Sequence, residues 1–259
     1  DLQVFPAAFY EDINNDGEKD LIASPNTDKE SENFESLVFY QNNGTTNAPI
    51  FQLSKNDFLQ DEMIEVGQAA APIFLDYNND GLQDLFISNF GYFDQTAPDN
   101  YRSQIALYEN IGTAISPKFE LISKDFQNLY AVGMEKALHP AFSDLDNDGD
   151  IDAIIGDYSG HLHYFDNSSG NLNSMSLSLL LPQLKDNTGT PIDIGYAATP
   201  FLYDIDNDND YDLIIGEGNG NLNYYENTGN PTSPIFSLVT DNFGGIDVSE
   251  WFTNIGSSA

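Results

Sequence analysis

The sequence predicts an all-β protein, and three observations carry that prediction. A short motif, Asp-x-[Asp/Asn]-x-Asp-[Gly/Asn]-x-x-Asp, starts at Asp12, Asp76, Asp144 and Asp204, with spacings of 64, 68 and 60 residues. Each copy is followed by a short, wholly apolar run and then by an alternating aromatic run. Turns rich in Asn and Gly, which accept positive φ, lie between these runs. Repetition at a near-fixed period, with four short strands per unit, is the pattern of propeller blades. The expected architecture is a β-propeller of four-stranded antiparallel blades. Four blades fall in this chain, at about 1–66, 67–132, 133–194 and 195–259, all in one propeller segment. A parallel solenoid has shorter repeats, and a tandem of β-sandwiches needs about seven strands per unit.

Each unit opens on a proline and a short apolar strand: Pro6–Tyr10, Pro72–Leu75, Pro140–Phe142 and Pro200–Tyr203. After the Asp loop come Leu21-Ile22, Leu85–Ile87, Ala153–Ile155 and Leu213–Ile215, continuous apolar runs that read as strands covered on both faces. The third strands are Leu37–Tyr40, Ala106–Tyr108, Leu162–Phe165 and Leu222–Tyr225. A turn such as Glu226-Asn-Thr-Gly229 leads to the fourth strands, Phe51–Leu53, Phe119–Leu121, Leu177–Leu179 and Phe236–Leu238. Linkers holding Gly67, Gly133, Gly195 and Gly256 lead towards the next proline. Gly67 to Pro72 and Gly195 to Pro200 are both five residues; counted likewise from Gly256, the next proline would fall two residues beyond Ala259. The expectation is a piece of a larger propeller of about seven blades, with a closed four-bladed ring as the alternative.

The Asp loops read as metal sites. Alternate carboxylates on a tight loop bring several oxygens onto one hard cation, and Ca²⁺ takes six to eight oxygens at about 2.3–2.6 Å. The candidate ligands are Asp12, Asn14, Asp16 and Asp20 in loop one and Asp76, Asn78, Asp80 and Asp84 in loop two. Loop three offers Asp144, Asp146, Asp148 and Asp152, and loop four Asp204, Asp206, Asp208 and Asp212. The backbone carbonyl at position 7 (Glu18, Leu82, Asp150, Asp210) adds a fifth group. Gly at position 6 permits the sharp turn; Asn209 replaces it in loop four, and Asn is the best non-Gly residue for the left-handed region. An EF-hand would need a Glu at position 12 and flanking helices, but position 12 is Ala23, Ile87, Ile155 and Ile215, inside strands. Solvated hairpin turns are the plainer alternative; four copies in register, each with Asp at position 9, favour about four Ca²⁺, one per repeat. Mg²⁺ retains its waters and rarely uses an all-protein cage.

Composition narrows the function. Of 259 residues, 42 are acidic and 8 basic, a formal charge of −34 that four Ca²⁺ would bring to −26. A surface so negative repels nucleic acid and anionic membranes. There is no cysteine, hence no disulfide and no thiol chemistry. No apolar run is long enough to span a bilayer, and residue 1 does not start a signal peptide, so the expectation is a mature or trimmed form without membrane insertion. No catalytic motif appears and no catalytic residue is assigned. His161 and His163 share a strand face with no carboxylate spacing directed at them, and are expected to face solvent.

The unit AFSDLDNDGDIDAIIGDYSGHLHYFDN, starting at Ala141, resembles the FG-GAP/VCBS repeat, the calcium-binding blade unit of integrin α-subunit propellers and many bacterial surface proteins. The resemblance covers essentially the whole chain. It implies a Ca²⁺ between the first two strands of each blade that stabilises it. The style of the linker and of Asn227-Thr-Gly-Asn-Pro-Thr-Ser-Pro-Ile-Phe236 is similar to secreted repeat proteins of gliding, polysaccharide-degrading bacteria, which implies an extracellular location.

In a meander, the Asp loops and the second-to-third-strand loops lie at opposite strand ends. The latter are short in repeats three and four (Gly156 to Gly160, Gly216 to Gly220) but long in repeat one (Ser24 to Ser36) and longest in repeat two (Ser88 to Gln104). The second insertion holds Phe90, Tyr92, Phe93, Tyr101 and Arg102, the composition of recognition hot spots. The alternative is that these rings only pack the insertion onto its own blade. The favoured function is a calcium-stabilised binding, adhesion or docking module at the cell surface, taking a protein or glycan partner. The alternatives are part of a secreted polysaccharide-active enzyme, or a subunit or cargo of a cell-surface assembly.

Overall fold

The computed structural model describes residues 7–24, 37–59, 63–94, 96–97, 100–132, 134, 136–169 and 175–248. Pro6, the repeat-one insertion beyond Ser24, Gly133 and Gly256 lie outside the described residues. The chain divides into two compact units, Asp1–Glu65 and Val66–Ala259.

The described residues are all-β apart from two short 3₁₀ turns, and they form four four-stranded antiparallel sheets. Sheet one holds β1 (Ala7–Glu11), β2 (Asp20–Ser24), β3 (Val38–Asn42) and β4 (Phe51–Lys55). Sheet two holds β5 (Ala71–Leu75), β6 (Asp84–Ser88), β9 (Ile105–Asn110) and β10 (Phe119–Ser123). The expected insertion folds between β6 and β9 as its own hairpin, β7 (Tyr92–Phe93) with β8 (Tyr101–Arg102). Sheet three is β11 (His139–Ser143), β12 (Asp152–Gly156), β13 (Leu162–Asn167) and β14 (Leu177–Leu181). Sheet four is β15 (Thr199–Tyr203), β16 (Asp212–Gly216), β17 (Leu222–Asn227) and β18 (Phe236–Thr240). Each is a meander in spatial order, as expected of propeller blades.

The burial pattern explains the sequence pattern. In β6 and β12 every residue is buried, so an apolar residue is favoured at successive positions and no alternation appears. Phe86, Ile105 and Leu107 of sheet two meet Ala153, Ile155 and Phe165 of sheet three in one cluster. Ile154 and Tyr164, on the other parity of sheet three, meet Leu202, Leu213 and Tyr225 of sheet four. Sheet three is thus covered on both faces. The fourth strands, β4, β10, β14 and β18, are largely exposed, and each pairs with its neighbour through a register shift, for example between Tyr164 and Phe165. Such bulges twist an edge away from further pairing. Among the described residues no helix is long and apolar enough to cross a membrane.

Candidate metal loops and recognition face

All four Asp loops have one backbone design. Position 9 is the first residue of the second strand and pairs with the residue just before position 1: Glu11 with Asp20, Leu75 with Asp84, Ser143 with Asp152, Tyr203 with Asp212. The position-1 carboxylate accepts the position-6 backbone N–H in every loop: Gly17 to Asp12 at 3.0 Å, Gly81 to Asp76 at 2.8 Å, Gly149 to Asp144 at 3.1 Å and Asn209 to Asp204 at 3.0 Å. Position 6 is left-handed, as expected, including Asn209 at φ 73°. Position 4 is left-handed too: Asn15, Asn79, Asn147 and Asn207 have φ of 56–63°. The recurrence of Asn at that place was the available sequence signal.

The position-9 carboxylates, all at most 1% exposed, do more than line a loop. One oxygen accepts the position-2 N–H: Ile13 to Asp20, Tyr77 to Asp84, Leu145 to Asp152 and Ile205 to Asp212, at 3.0–3.3 Å. The other accepts the N–H of the last third-strand residue: Asn42, Asn110, Asn167 and Asn227, at 2.8–2.9 Å. Each of these Asn is buried. Its Oδ1 in turn accepts two backbone N–H groups of the next turn, for Asn227 those of Gly229 at 3.1 Å and Ile235 at 2.9 Å. Sequence reasoning passed over these four Asn as turn residues. Their signal was an aromatic-x-Asn triplet in every repeat.

The loops suit a hard cation. In loop three, carboxylate oxygens of Asp144, Asp146 and Asp152 lie within 4.8 Å of one another, as do those of Asp204, Asp206 and Asp208 in loop four. Asp144 Oδ1 and Asp210 Oδ1 are buried with no hydrogen-bond partner, a costly arrangement that a cation would relieve. Burial pushes the Asp152 carboxyl up to about 6; Asp146 and Asp166 add to the rise while the N–H groups of Asn167 and Leu145 oppose it. Burial, then the charges of Asp208 and Asp212, also lift Asp210 to about 6. Desolvated carboxylates crowded in this way need a counter-charge. The position-7 residues were expected to offer only backbone carbonyls. The Glu18 side chain also anchors its loop to the next hairpin, accepting from the Thr46 backbone N–H and from Thr46 Oγ1 at 2.8 Å.

At the other end of the strands the repeats of the second unit are stitched together. The N–H of Phe90 reaches the carbonyl of Gln68, that of Ala137 reaches Phe90, Tyr158 reaches Lys136, Ala197 reaches Tyr158, and Gly218 reaches Tyr196, at 2.7–3.1 Å. The side chains on this thread form an aromatic row. Phe93 packs on Tyr101 (6.2 Å between ring centroids), Tyr101 on Phe90 (5.6 Å), Phe90 on Tyr158 (5.7 Å) and Tyr158 on Tyr196 (6.3 Å). Lys136 Nζ sits 5.1 Å from the Phe90 ring and 4.9 Å from that of Tyr158. Tyr196 donates to the Gly218 carbonyl at 2.6 Å, and its ring lies where a Gly218 Cβ would stand. Phe93, Tyr158 and Tyr196 are exposed; Phe90, Tyr92, Tyr101 and Arg102 are half-buried. Arg102 Nη2 donates to Asp125 at 2.8 Å and Asn128 at 2.7 Å, so it fastens the hairpin to the segment after β10. The sequence singled out the repeat-two residues; Tyr158, Tyr196 and Lys136 join them only in three dimensions.

His163 corrects an expectation. It is buried, and its Nε2 lies 2.9 Å from Asp157 Oδ2, so a carboxylate does meet it. Although burial acts against it, the His163 contact keeps the Asp157 carboxyl below its ordinary value. β13 is covered on both faces, so neither parity of the strand offers solvent. His161 remains partly exposed, 3.8 Å from Asp193.

No curated protein matches this chain. A family model described as the FG-GAP-like repeat matches residues 12–87, from the first Asp loop into β6. With the same loop and strands recurring at Asp144 and Asp204, the chain is consistent with the FG-GAP/VCBS repeat family.

Proposed function

We propose that this chain is an extracellular, calcium-stabilised, propeller-type module that binds or docks a cell-surface protein or glycan, and that it is not an enzyme. In each repeat Ca²⁺ is held by the carboxylate and carboxamide groups at positions 1, 3, 5 and 9 with the position-7 carbonyl. The ion neutralises buried negative charge and closes the hairpin. It contributes to stability because it binds the folded loop and not the unfolded chain. Extracellular sites of this kind bind at about 10⁻⁴–10⁻³ M, which suits external calcium.

The observation that carries the binding role is the aromatic row shared by three consecutive repeats, at the strand ends away from the Asp loops. Exposed rings held by a backbone thread are rigid anchors and lose little entropy on contact. The test is biolayer interferometry in millimolar calcium against immobilised glycans and cell-surface protein fractions, with turnover of the same glycans assayed in parallel. The double variant Phe93→Ser, Tyr196→Ser is expected to lose at least about tenfold in affinity, or roughly 1.4 kcal/mol. Phe93→Ser alone, which removes an exposed ring and no hydrogen bond, is expected to weaken binding while the melting temperature stays close to that of the parent. Equal binding by variant and parent would remove the row as the recognition face, and glycan turnover would overturn the non-enzymatic reading.

A further inference from the structure

The His163–Asp157 pair is a buried ionisable pair that the calcium loops leave unused. Counting back four residues from the buried Asn that ends each third strand gives Val38, Ala106, His163 and Asn223. Three of four repeats fold with no imidazole at this place, so the architecture does not require one. Burying an ionisable pair is seldom more stabilising than burying apolar residues of similar size. His161 precedes His163 by two residues, on the same side of the strand. Both line a depression of about 660 Å³ together with Asp157 and Lys185.

Imidazole nitrogens with one carboxylate are the donor set of zinc and similar first-row divalent ions, unlike the all-oxygen set of the Asp loops. We propose that Asp157, His161 and His163 form a transition-metal site, with Asp193 as a positioning residue for His161. His163 Nε2 and Asp157 Oδ2 stand 2.9 Å apart. Two ligand atoms on a tetrahedral ion at about 2.0–2.2 Å are about 3.4 Å apart, so an ion enters between them with a shift of about half an ångström. The Nε2 proton leaves to solvent as the ion takes its place. The ligating imidazole is neutral with its proton on Nδ1, either retained there from an imidazolium or taken up from solvent by a ring that was neutral. The ligand atoms of the three residues do not yet lie within 4.8 Å of one another; the His161 side chain, 30% exposed and on the same depression, has to turn about its own bonds to give the third ligand. An outer carboxylate on a ligating imidazole is the usual second support of such sites. Water fills the fourth position from the depression. Repeat four carries Glu217, Asn221 and Asn223 at the three equivalent places, a set without imidazole.

The test uses the full chain saturated with calcium, so that the Asp loops are filled. It is titrated calorimetrically with zinc chloride, and with cobalt(II) while visible absorption is followed. One equivalent of zinc is expected without release of calcium, with an intense tetrahedral cobalt spectrum. H161Q and H163N should each weaken zinc binding by more than about tenfold and remove that spectrum. H161Q should leave the calcium-loaded melting temperature in place, whereas H163N lowers it because Asp157 loses its buried partner. The H163N change adopts the residue type that repeat four already uses, and the half-exposed His161 gives a second variant if the first misfolds. No zinc uptake, uptake unaltered by either substitution, or zinc that enters only by displacing calcium would each overturn the site.

Discussion

At the scale of single residues, the four buried Asn matter as much as the carboxylates they serve. Asn227 receives its strand's link to Asp212 through its backbone and orders the following turn through its side chain. Replacing it with Ala removes the acceptor of two backbone donors, that of the partly buried Gly229 and that of the exposed Ile235. A buried donor left unsatisfied costs about 1–3 kcal/mol and a hydrogen bond that water can replace about 0.5–1.5 kcal/mol, so Asn227→Ala is expected to cost about 1.5–4 kcal/mol in urea unfolding with calcium present. Asn230→Ala, which removes an exposed turn contact with Thr232, should cost well under half of that. Similar losses for the two variants would show that the buried Asn is an ordinary turn residue.

At the scale of the loop and its strands, much was legible before any coordinates. Fixed spacing marked the Asp loops, and uninterrupted apolar runs marked β6 and β12 because strands covered on both faces need no alternation. The same double coverage made His163 illegible. A period of two assigns a side chain to one face, but it does not say that both faces are dry. Asp157 meets His163 only because the hairpin turn closes, a contact that no ligand spacing announces. The hairpin of β7 and β8 was hidden likewise, inside an insertion whose polar residues carry no strand period. The charge count of the loops yields a graded expectation. Loops three and four each place four Asp at positions 1, 3, 5 and 9, whereas Asn14 and Asn78 make loops one and two less negative. Calcium affinity rises with ligand charge. Calorimetry of D144A or D204A should therefore remove a tight binding phase, and D12A or D76A a phase several-fold weaker. Equal affinities across the four variants would count against ligand charge as the determinant.

For the molecule as a whole, charge sets the terms of stability. At −34 the folded chain repels itself, and the Asp loops concentrate that repulsion beside buried strands. The sheets of the second unit resist it through two shared apolar clusters and the backbone thread from Gln68 to Gly218. On the proposed reading calcium would act on both levels, since it would remove charge and bind the folded state alone. At calcium about tenfold above Kd, each site adds about 1.4 kcal/mol, so four add about 5–6 kcal/mol. Domains of comparable size shift by about 2–4 °C per kcal/mol, which puts the expected fall in melting temperature on chelation at about 10–20 °C. Salt separates the two contributions. At 1 M salt the Debye length is about 3 Å, so general repulsion between surface charges is screened while the buried carboxylates still lack their ion. Scanning calorimetry in excess EGTA should thus show a large drop at low salt and only partial recovery in 1 M sodium chloride. Full recovery would reduce calcium to a counter-ion, and an unchanged melt in EGTA would remove it from the native structure altogether.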